Sequence, residues 1–120
     1  MREGAYIYFL SNWDNSVLYL GVTNNLARRV AEHKAKVDKS FSEKYNCDRL
    51  VYYETGESIV DAITREKQLK KWKREWKDEL ITNANPTWDD LSESVGVTQE
   101  FVDAVAEAYK HRQDSGSSPE

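Results

Sequence analysis

Five polar residues of the chain have types and spacings that could serve one chemical step: Tyr8, Tyr19, Arg29, His33 and Glu66. A phenol or an imidazole can transfer a proton, and an arginine can bind phosphoryl oxygens through its planar fork of donors. A single carboxylate can help to hold a divalent metal ion. These groups are sufficient for hydrolysis of a phosphodiester bond, provided that the fold brings them to one surface.

The two tyrosines lie in strands that the hydrophobic pattern predicts. The stretch "AYIYFL" at 5–10 alternates, so that Tyr8 and Phe9 point to opposite faces of a strand, and "VLYLG" at 17–21 resumes an extended pattern. The gap "SNWDNS" between them is rich in turn formers. We expect a hairpin symmetric about the middle of this gap, which would place Tyr8 opposite Tyr19.

The arginine and the histidine share a predicted helix. After Gly21, "VTNN" offers capping side chains, and "LARRVAEHKAKV" at 26–37 carries its apolar residues and His33 along one stripe. Arg29 and His33 are four residues apart and therefore lie on the same edge of that helix.

The glutamate falls in a second, longer helix. "RLVYYET" at 49–55 predicts a third strand ended by Gly56, and Ser58 can cap one long helix over 58–81. Its apolar residues cluster on one side, and we expect its tryptophans to be buried. Glu66 lies within this apolar arc, where a carboxylate needs a partner.

Composition limits the class of protein. With 120 residues, 39% of them hydrophobic, the chain predicts one domain, and a lone cysteine, Cys47, fits a reducing compartment such as the cytoplasm. The sequence has no apolar segment of signal-peptide or membrane-spanning length. It also has no Cys/His cluster with zinc spacing, no glycine-rich phosphate loop and no G-x-S-x-G motif.

Charge is distributed unevenly along the chain. Residues 1–88 carry a net charge of +2, whereas residues 89–120 carry −6 and include a predicted amphipathic helix from Thr98. The run "REKQLKKWKREWK" at 65–77 concentrates positive charge, so that Lys70 and Lys77 are candidate substrate-binding residues, although a solvated helix face explains such a run equally well. The acidic end could shield the basic face or could simply aid solubility.

These elements predict an α/β (α+β) fold in which a small, mainly antiparallel, three-stranded sheet is flanked by helices in the order β-β-α-β-α-α. We divide the chain into a core domain at 1–91, an acidic helical extension at 92–112 and a disordered tail at 113–120.

Four short motifs, in this order, resemble those of the GIY-YIG nuclease superfamily. They are "YIY" at 6–8, "YLG" at 19–21, Arg29 and His33 within "NLARRVAEH", and Glu66 within "AITREKQLKKW". The similarity extends over about residues 5–91 and is greatest to the small stand-alone branch related to the nuclease half of UvrC, the bacterial excision-repair endonuclease. Two positions depart from the family pattern: Tyr6 replaces the first glycine of the family's name, and Leu20 replaces the usual isoleucine.

The resemblance implies roles for the polar residues. Tyr8 would activate or orient the attacking water, which requires a neighbouring cation or metal to lower its usual pKa of about 10. Tyr19 would orient the phosphate or the water, Arg29 would stabilise charge on the phosphoryl oxygens, and His33 would share the proton transfer. Glu66 would bind the metal ion.

The resemblance also implies Mg²⁺ or Mn²⁺ as the cofactor and DNA as the substrate, and it makes Asn85 in "NANP" a further substrate-binding candidate. The implied function is a metal-dependent endonuclease, in DNA repair or recombination. Because the body of the chain carries only +2, we expect weak or structure-selective activity or dependence on a protein partner for specificity.

Structural roles are the alternative for each residue. The tyrosines could be core-edge residues, His33 a packing residue, Arg29 an ion-pair partner of Glu66, and Asn85 a turn residue. Two other functions therefore stay open. One is a nucleic-acid-binding module with little or no turnover, and the other is a protein-interaction domain that uses the acidic terminal helix and retains a vestigial site.

Overall fold

A computed structural model describes residues 4–37 and 44–114 of the chain, the side chains of residues 112–114 excepted. The strands in this part of the chain are β1 (Ala5–Ser11), β2 (Leu18–Thr23) and β3 (Arg49–Gly56), and they form an antiparallel sheet in the order β2-β1-β3. The helices are α1 (Leu26–Ala35), α2 (Ile59–Lys70), α3 (Arg74–Ala84) and α4 (Gln99–Asp114), with a short 3-10 turn at Glu93–Val95. The predicted fold class and element order are confirmed.

Two apolar clusters lie on the two faces of the sheet. Tyr8 packs with Leu26 and Val30 of α1, and the same cluster takes in Val102 of α4. On the other face, Phe9 packs with residues of α2 and α3. The alternation predicted for the first strand is thereby confirmed, since neighbouring residues of β1 enter different clusters.

The register of the hairpin differs from the expected one by two residues. Tyr8 pairs with Gly21, and Tyr19 pairs with Leu10, so the expected pairing of Tyr8 with Tyr19 is wrong. The turn is closed by Asn12, whose side chain accepts a hydrogen bond from the backbone N–H of Val17 at 3.0 Å. Because the shift is even, Tyr8 and Tyr19 still lie on the same face of the sheet.

The long helix expected over 58–81 is interrupted, and this expectation is corrected. Lys71, Trp72 and Lys73 separate α2 from α3. An unbroken helix of that length would span about 36 Å, whereas strands of six to eight residues span roughly 20–27 Å. The break allows α3 to turn back, so that Ile81 joins the same apolar cluster as Leu69 of α2.

The acidic helix α4 packs against α1, on the opposite side of the sheet from α2 and α3. It therefore does not cover the basic run on those two helices. The helix continues to Asp114, and the remainder of the expected disordered tail, residues 115–120, lies outside the described residues. No helix within the described ranges is long and apolar enough to cross a membrane.

Candidate active site

The site is built around the side chain of Tyr8, which lies directly over the backbone of Gly21. A Cβ atom at Gly21 would stand 2.5 Å from both Cζ and the hydroxyl oxygen of Tyr8, far inside van der Waals contact. The absence of a side chain at Gly21 is thus what lets the ring occupy this place. The glycine of the "YLG" motif has a packing role as well as a place in the strand.

His33 reaches Tyr8 from α1. Asn25 caps that helix by accepting a hydrogen bond from the backbone N–H of Arg28, and the stripe of Leu26 and Val30 holds the helix against the sheet. His33 continues this stripe, and its Nε2 lies 3.0 Å from the hydroxyl oxygen of Tyr8 in a buried hydrogen bond. Tyr8 and His33 are only 1% and 2% exposed.

Tyr19 completes an aromatic triangle with these two residues. Its ring centroid lies 6.1 Å from that of Tyr8 and 5.2 Å from that of His33. Tyr19 is half-buried, on the strand at the edge of the described sheet. The triangle therefore joins a fully buried phenol to a phenol that solvent can reach.

Arg29 brings positive charge to the same group. Its guanidinium lies close enough to the Tyr8 hydroxyl to lower the pKa of that phenol, and its Nη1 donates to Oε1 of Glu32 at 2.9 Å. The side chain is 29% exposed, so part of the guanidinium faces solvent. The predicted cluster of Tyr8, Tyr19, Arg29 and His33 is thus assembled by the fold.

The phenol of Tyr8 holds its proton strongly. Burial raises the pKa of Tyr8 well above its usual value, and the Tyr19 phenol adds to this rise, while the charge and hydrogen bond of Arg29 act in the opposite direction. Arg29 alone does not bring the pKa back to its ordinary range. Tyr8 is therefore protonated near neutral pH in the absence of a further cation.

Glu66 lies on the helix α2, which packs on the opposite face of the sheet from Tyr8. It lies on α2 between Ala62 and Leu69, which are both in the Phe9 cluster, and its side chain is only 14% exposed. Its Oε2 accepts from Nζ of Lys70 at 2.8 Å, which is the partner that its burial requires. The pKa of Lys70 is raised by this hydrogen bond and by the charge of Glu66, and to a smaller extent by Tyr19. Lys70 therefore lies within electrostatic reach of both Glu66 and Tyr19.

The expected alternative pairing of Arg29 with Glu66 is replaced by two pairs within helices. Arg29 pairs with Glu32 on α1, and Glu66 pairs with Lys70 on α2. Both carboxylates are held by a residue three or four positions away, a spacing that brings side chains together on a helix.

A small group of cations lies beside Glu66. Burial lowers the pKa of Lys77, and the positive charges of Arg74 and Lys70 lower it further, so the three side chains lie within electrostatic reach of one another. Arg74 also donates to the backbone carbonyls of Asn15 and Ser16, which ties α3 to the β1–β2 hairpin. We call Lys70, Arg74 and Lys77 the basic cluster.

Asn85 does not join this group through its hydrogen bonds. Its buried side chain donates to the backbone carbonyls of Val51 and Asp89 and accepts from the N–H of Asp89. The residue therefore ties the end of α3 to β3, in agreement with the turn role considered for it.

Trp76 is 51% exposed, so the expectation that it is buried is wrong.

Sequence reasoning missed Glu32, which is buried beside Arg29 and holds it in place. A usable signal was present in "RRVAE", because Glu32 follows the two arginines by four and three positions.

Among the described residues there is no group of three or more His, Cys, Asp or Glu side chains that could hold a metal ion. A metal site among these residues would thus have at most two such side chains as ligands.

Comparison with known proteins identifies the family of this arrangement. A family model described as the GIY-YIG catalytic domain matches residues 4–79. This range includes Tyr8, Tyr19, Arg29, His33 and Glu66. The chain belongs to the GIY-YIG catalytic domain family. No solved structure gives a significant match.

Several UPF0213 proteins resemble this GIY-YIG chain. A UPF0213 protein of Natronomonas pharaonis is 36% identical over 83 residues, which are 69% of this chain and 96% of the relative. One from Haloquadratum walsbyi is 32% identical over 67% of this chain and 89% of its own length. One from Clostridium perfringens is 36% identical over 65% of this chain and 83% of its own length. Their names state no activity.

The GIY-YIG family assigns a nuclease-type fold to the chain, and members of the family are generally endonucleases that act on nucleic acid and use divalent metal ions. A single carboxylate ligand agrees with this chemistry, because Mg²⁺ commonly keeps several waters and is held by one or two carboxylates together with substrate phosphates. The Glu66 side chain is 14% exposed and is held by a lysine that is 62% exposed, so the donor set fits such an ion.

Proposed function

We propose that the protein is a divalent-metal-dependent endonuclease that hydrolyses DNA phosphodiester bonds, with weak or structure-selective activity, in DNA repair or recombination. The observation that carries the proposal is the buried hydrogen bond between Tyr8 and His33, which lies beside Arg29. A phenol, an imidazole and a guanidinium in contact form a path for a proton next to a binding point for phosphate oxygens.

Tyr8 acts in this proposal as a relay for the proton. Its raised pKa makes a free phenolate unfavourable at neutral pH, so it cannot serve alone as the base. With the imidazole proton on Nδ1, Nε2 of His33 accepts from the Tyr8 hydroxyl. Because Tyr8 is only 1% exposed, the proton of the attacking water reaches the Tyr8 oxygen by way of the half-buried Tyr19, while the proton of Tyr8 passes to His33, 3.0 Å away.

Arg29 stabilises the negative charge that develops on the phosphoryl oxygens. The guanidinium is partly exposed and already oriented by Glu32, so little conformational freedom is lost when it binds a phosphate. Tyr19, half-buried next to Tyr8 and His33, is placed to orient the phosphate or the water.

Glu66 would hold the Mg²⁺ or Mn²⁺ ion. When bound, such an ion supplies Lewis-acid stabilisation of the phosphate and a local positive charge that favours deprotonation nearby. Lys70 contacts only Oε2 of Glu66 and yields this oxygen if the ion binds it. Because Lys70 is largely exposed, the loss of this pair costs about 1 kcal/mol or less.

The basic cluster extends the site toward the substrate backbone. Lys70 pairs with Glu66 and lies within electrostatic reach of Tyr19, and Lys77 lies within reach of Lys70 and Arg74. The flanking phosphates of a nucleic acid would pass along these cations. Each phosphate neutralised adds affinity that depends strongly on salt. Three cations provide only a small footprint, which supports weak binding and the use of a partner for specificity.

The test is cleavage of labelled single-stranded, duplex and branched DNA with and without Mg²⁺ or Mn²⁺. Glu66→Gln should abolish metal-dependent cleavage and retain the circular dichroism spectrum. Glu75→Gln, which removes an exposed charge from the neighbouring helix, should cut like the unaltered protein. Binding of DNA by both proteins with no cleavage by either would overturn the proposal in favour of a binding module.

A further inference from the structure

Glu32 is a buried carboxylate that three donors hold from two helices. Its Oε1 accepts from Nη1 of Arg29 at 2.9 Å. Its Oε2 accepts from Nε of Arg28 at 3.2 Å and from the hydroxyl of Tyr109 at 3.0 Å. The side chain is 8% exposed, so these bonds replace most of its hydration and fix its orientation.

Tyr109 is the member of this set that comes from the acidic terminal helix. It lies on α4, which packs along α1, and it is outside residues 4–79, where the family match ends. The UPF0213 protein of Natronomonas pharaonis is covered to 96% by its match, so few of its residues remain to form a counterpart of this helix. Tyr109 therefore contacts Glu32 from outside the part of the chain that the family model matches.

The two carboxylate oxygens of Glu32 have different hydrogen-bond partners. Tyr109 and Arg28 hold Oε2, which turns Oε1 toward Arg29. The guanidinium of Arg29 has further donors, and it lies close enough to the Tyr8 hydroxyl to lower the pKa of that phenol. A chain of contacts thus runs from Tyr109 through Glu32 to Arg29, which lies beside the phenol at the centre of the candidate site.

We propose that Tyr109 and Glu32 are positioning residues for Arg29, and that the acidic terminal helix is a working part of the active site. The inference rests on the proposed function, because Arg29 needs a defined position only if it acts on a phosphate. An arginine side chain has several rotatable bonds, and the fixed carboxylate restricts them before the substrate arrives. Loss of the Tyr109 hydroxyl leaves Oε2 held by Arg28 alone and loosens Arg29 without removing any charge from the site.

The experiment has two independent readouts. The first is NMR of the arginine side chains, in which a guanidinium held by a carboxylate shows slow rotation and slow hydrogen exchange. Arg29→Lys identifies the Arg29 signal. The second is kcat for DNA cleavage, measured with KM and the melting temperature. The variants are Tyr109→Phe, Glu32→Gln and, as a control on the same terminal helix, the exposed Glu107→Gln.

We expect Tyr109→Phe to speed the exchange of Arg29 and to lower kcat roughly tenfold, since a hydrogen bond to a charged group is lost. KM and melting temperature should change little, because the ring and its packing remain. Glu32→Gln should have the larger effect, and Glu107→Gln should have none.

Unchanged exchange of Arg29 in both Tyr109→Phe and Glu32→Gln would overturn the inference, whatever the cleavage rates. Faster exchange with an unchanged kcat would limit the contact to a structural role and also overturn it. If the unaltered protein cuts no DNA, the proposed function fails by itself, and the positioning of Arg29 is then dropped as a catalytic device. Failure of the proposed function thus shows as no cleavage by the unaltered protein, and failure of the positioning role shows as unchanged exchange of Arg29.

Discussion

The fit of Tyr8 over Gly21 predicts that Gly21→Ala disturbs the candidate site more than a methyl group added at any other position would. The new Cβ would lie 2.5 Å from the Tyr8 hydroxyl oxygen and 2.8 Å from its Cε1. Tyr8 is buried on all sides, so its ring cannot swing out to solvent. It must shift within the core, and its hydrogen bonds to His33 and Arg29 must lengthen.

The expected loss of stability follows from two opposing effects. Forcing a methyl group into a packed core costs about 1–3 kcal/mol. Replacing glycine by alanine in a strand returns roughly 0.4–1 kcal/mol by restricting the unfolded chain. The net loss is therefore roughly 0.5–2 kcal/mol, which corresponds to a fall in melting temperature of several degrees for a chain of this size. Cleavage should fall further than stability does, since the proton path depends on the position of Tyr8.

The assay is denaturant unfolding in a double-mutant cycle. Gly21→Ala should be destabilising in the unaltered chain and much less so in a Tyr8→Ala background, where the ring is gone. Gly56→Ala is the matched control, because a Cβ there would meet its nearest neighbour at an ordinary 3.4 Å. If Gly21→Ala unfolds and cuts DNA like the unaltered protein, or if its cost is the same in both backgrounds, the reasoning is refuted.

Two further predictions concern the basic cluster and the acid stability of the fold. Lys77→Ala should weaken DNA binding and reduce the slope of log affinity against log salt by about 1, whereas Lys110→Ala on α4 should change neither; an unchanged slope for Lys77→Ala would remove this cluster from the DNA path. Burial alone would raise the pKa of Asp90, but hydrogen bonds from Lys34 and Ser92, with the Lys34 charge, outweigh it and lower the pKa. The stability that Asp90 contributes is therefore present above its ordinary pKa of about 3.9 and is lost as the pH falls through the lowered value. Asp90→Asn should reduce the free energy of unfolding at pH 7 by roughly 1 kcal/mol and flatten its fall at acid pH, as measured by urea unfolding at several pH values; equal acid sensitivity in both proteins would contradict the assignment.

The hairpin shows where prediction from the sequence succeeds and where it stops. Alternation along 5–10 is a local property, so the faces of Tyr8 and Phe9 followed from it and are confirmed. The register is not local, since it depends on the turn and on which side chains fit across the strands. Tyr8 pairs with Gly21 because no other residue of β2 leaves room for its ring.

The helices show the same division. The apolar period of 58–81 is continuous, and no proline or glycine marks the break between Lys71 and Lys73. The interruption arises because the sheet is shorter than the helix would be, which is a property of the assembled fold. The apolar period also led to the wrong expectation that Trp76 is buried. The period indicates which residues share one side of a helix, but it does not indicate whether another element covers that side.

The sequence by itself determined the three strands, the first and the terminal helix, the identity of the polar residues and, through the order of the motifs, the family. These properties depend on residue type and on spacing along one segment, which neighbouring elements do not alter. Only the tertiary structure decided that Tyr8 bonds to His33, that Arg29 pairs with Glu32, and that Tyr109 closes the set from a helix beyond the family match. Each of these contacts joins side chains whose distance is set by packing, and packing depends on the volumes of residues far apart in the chain.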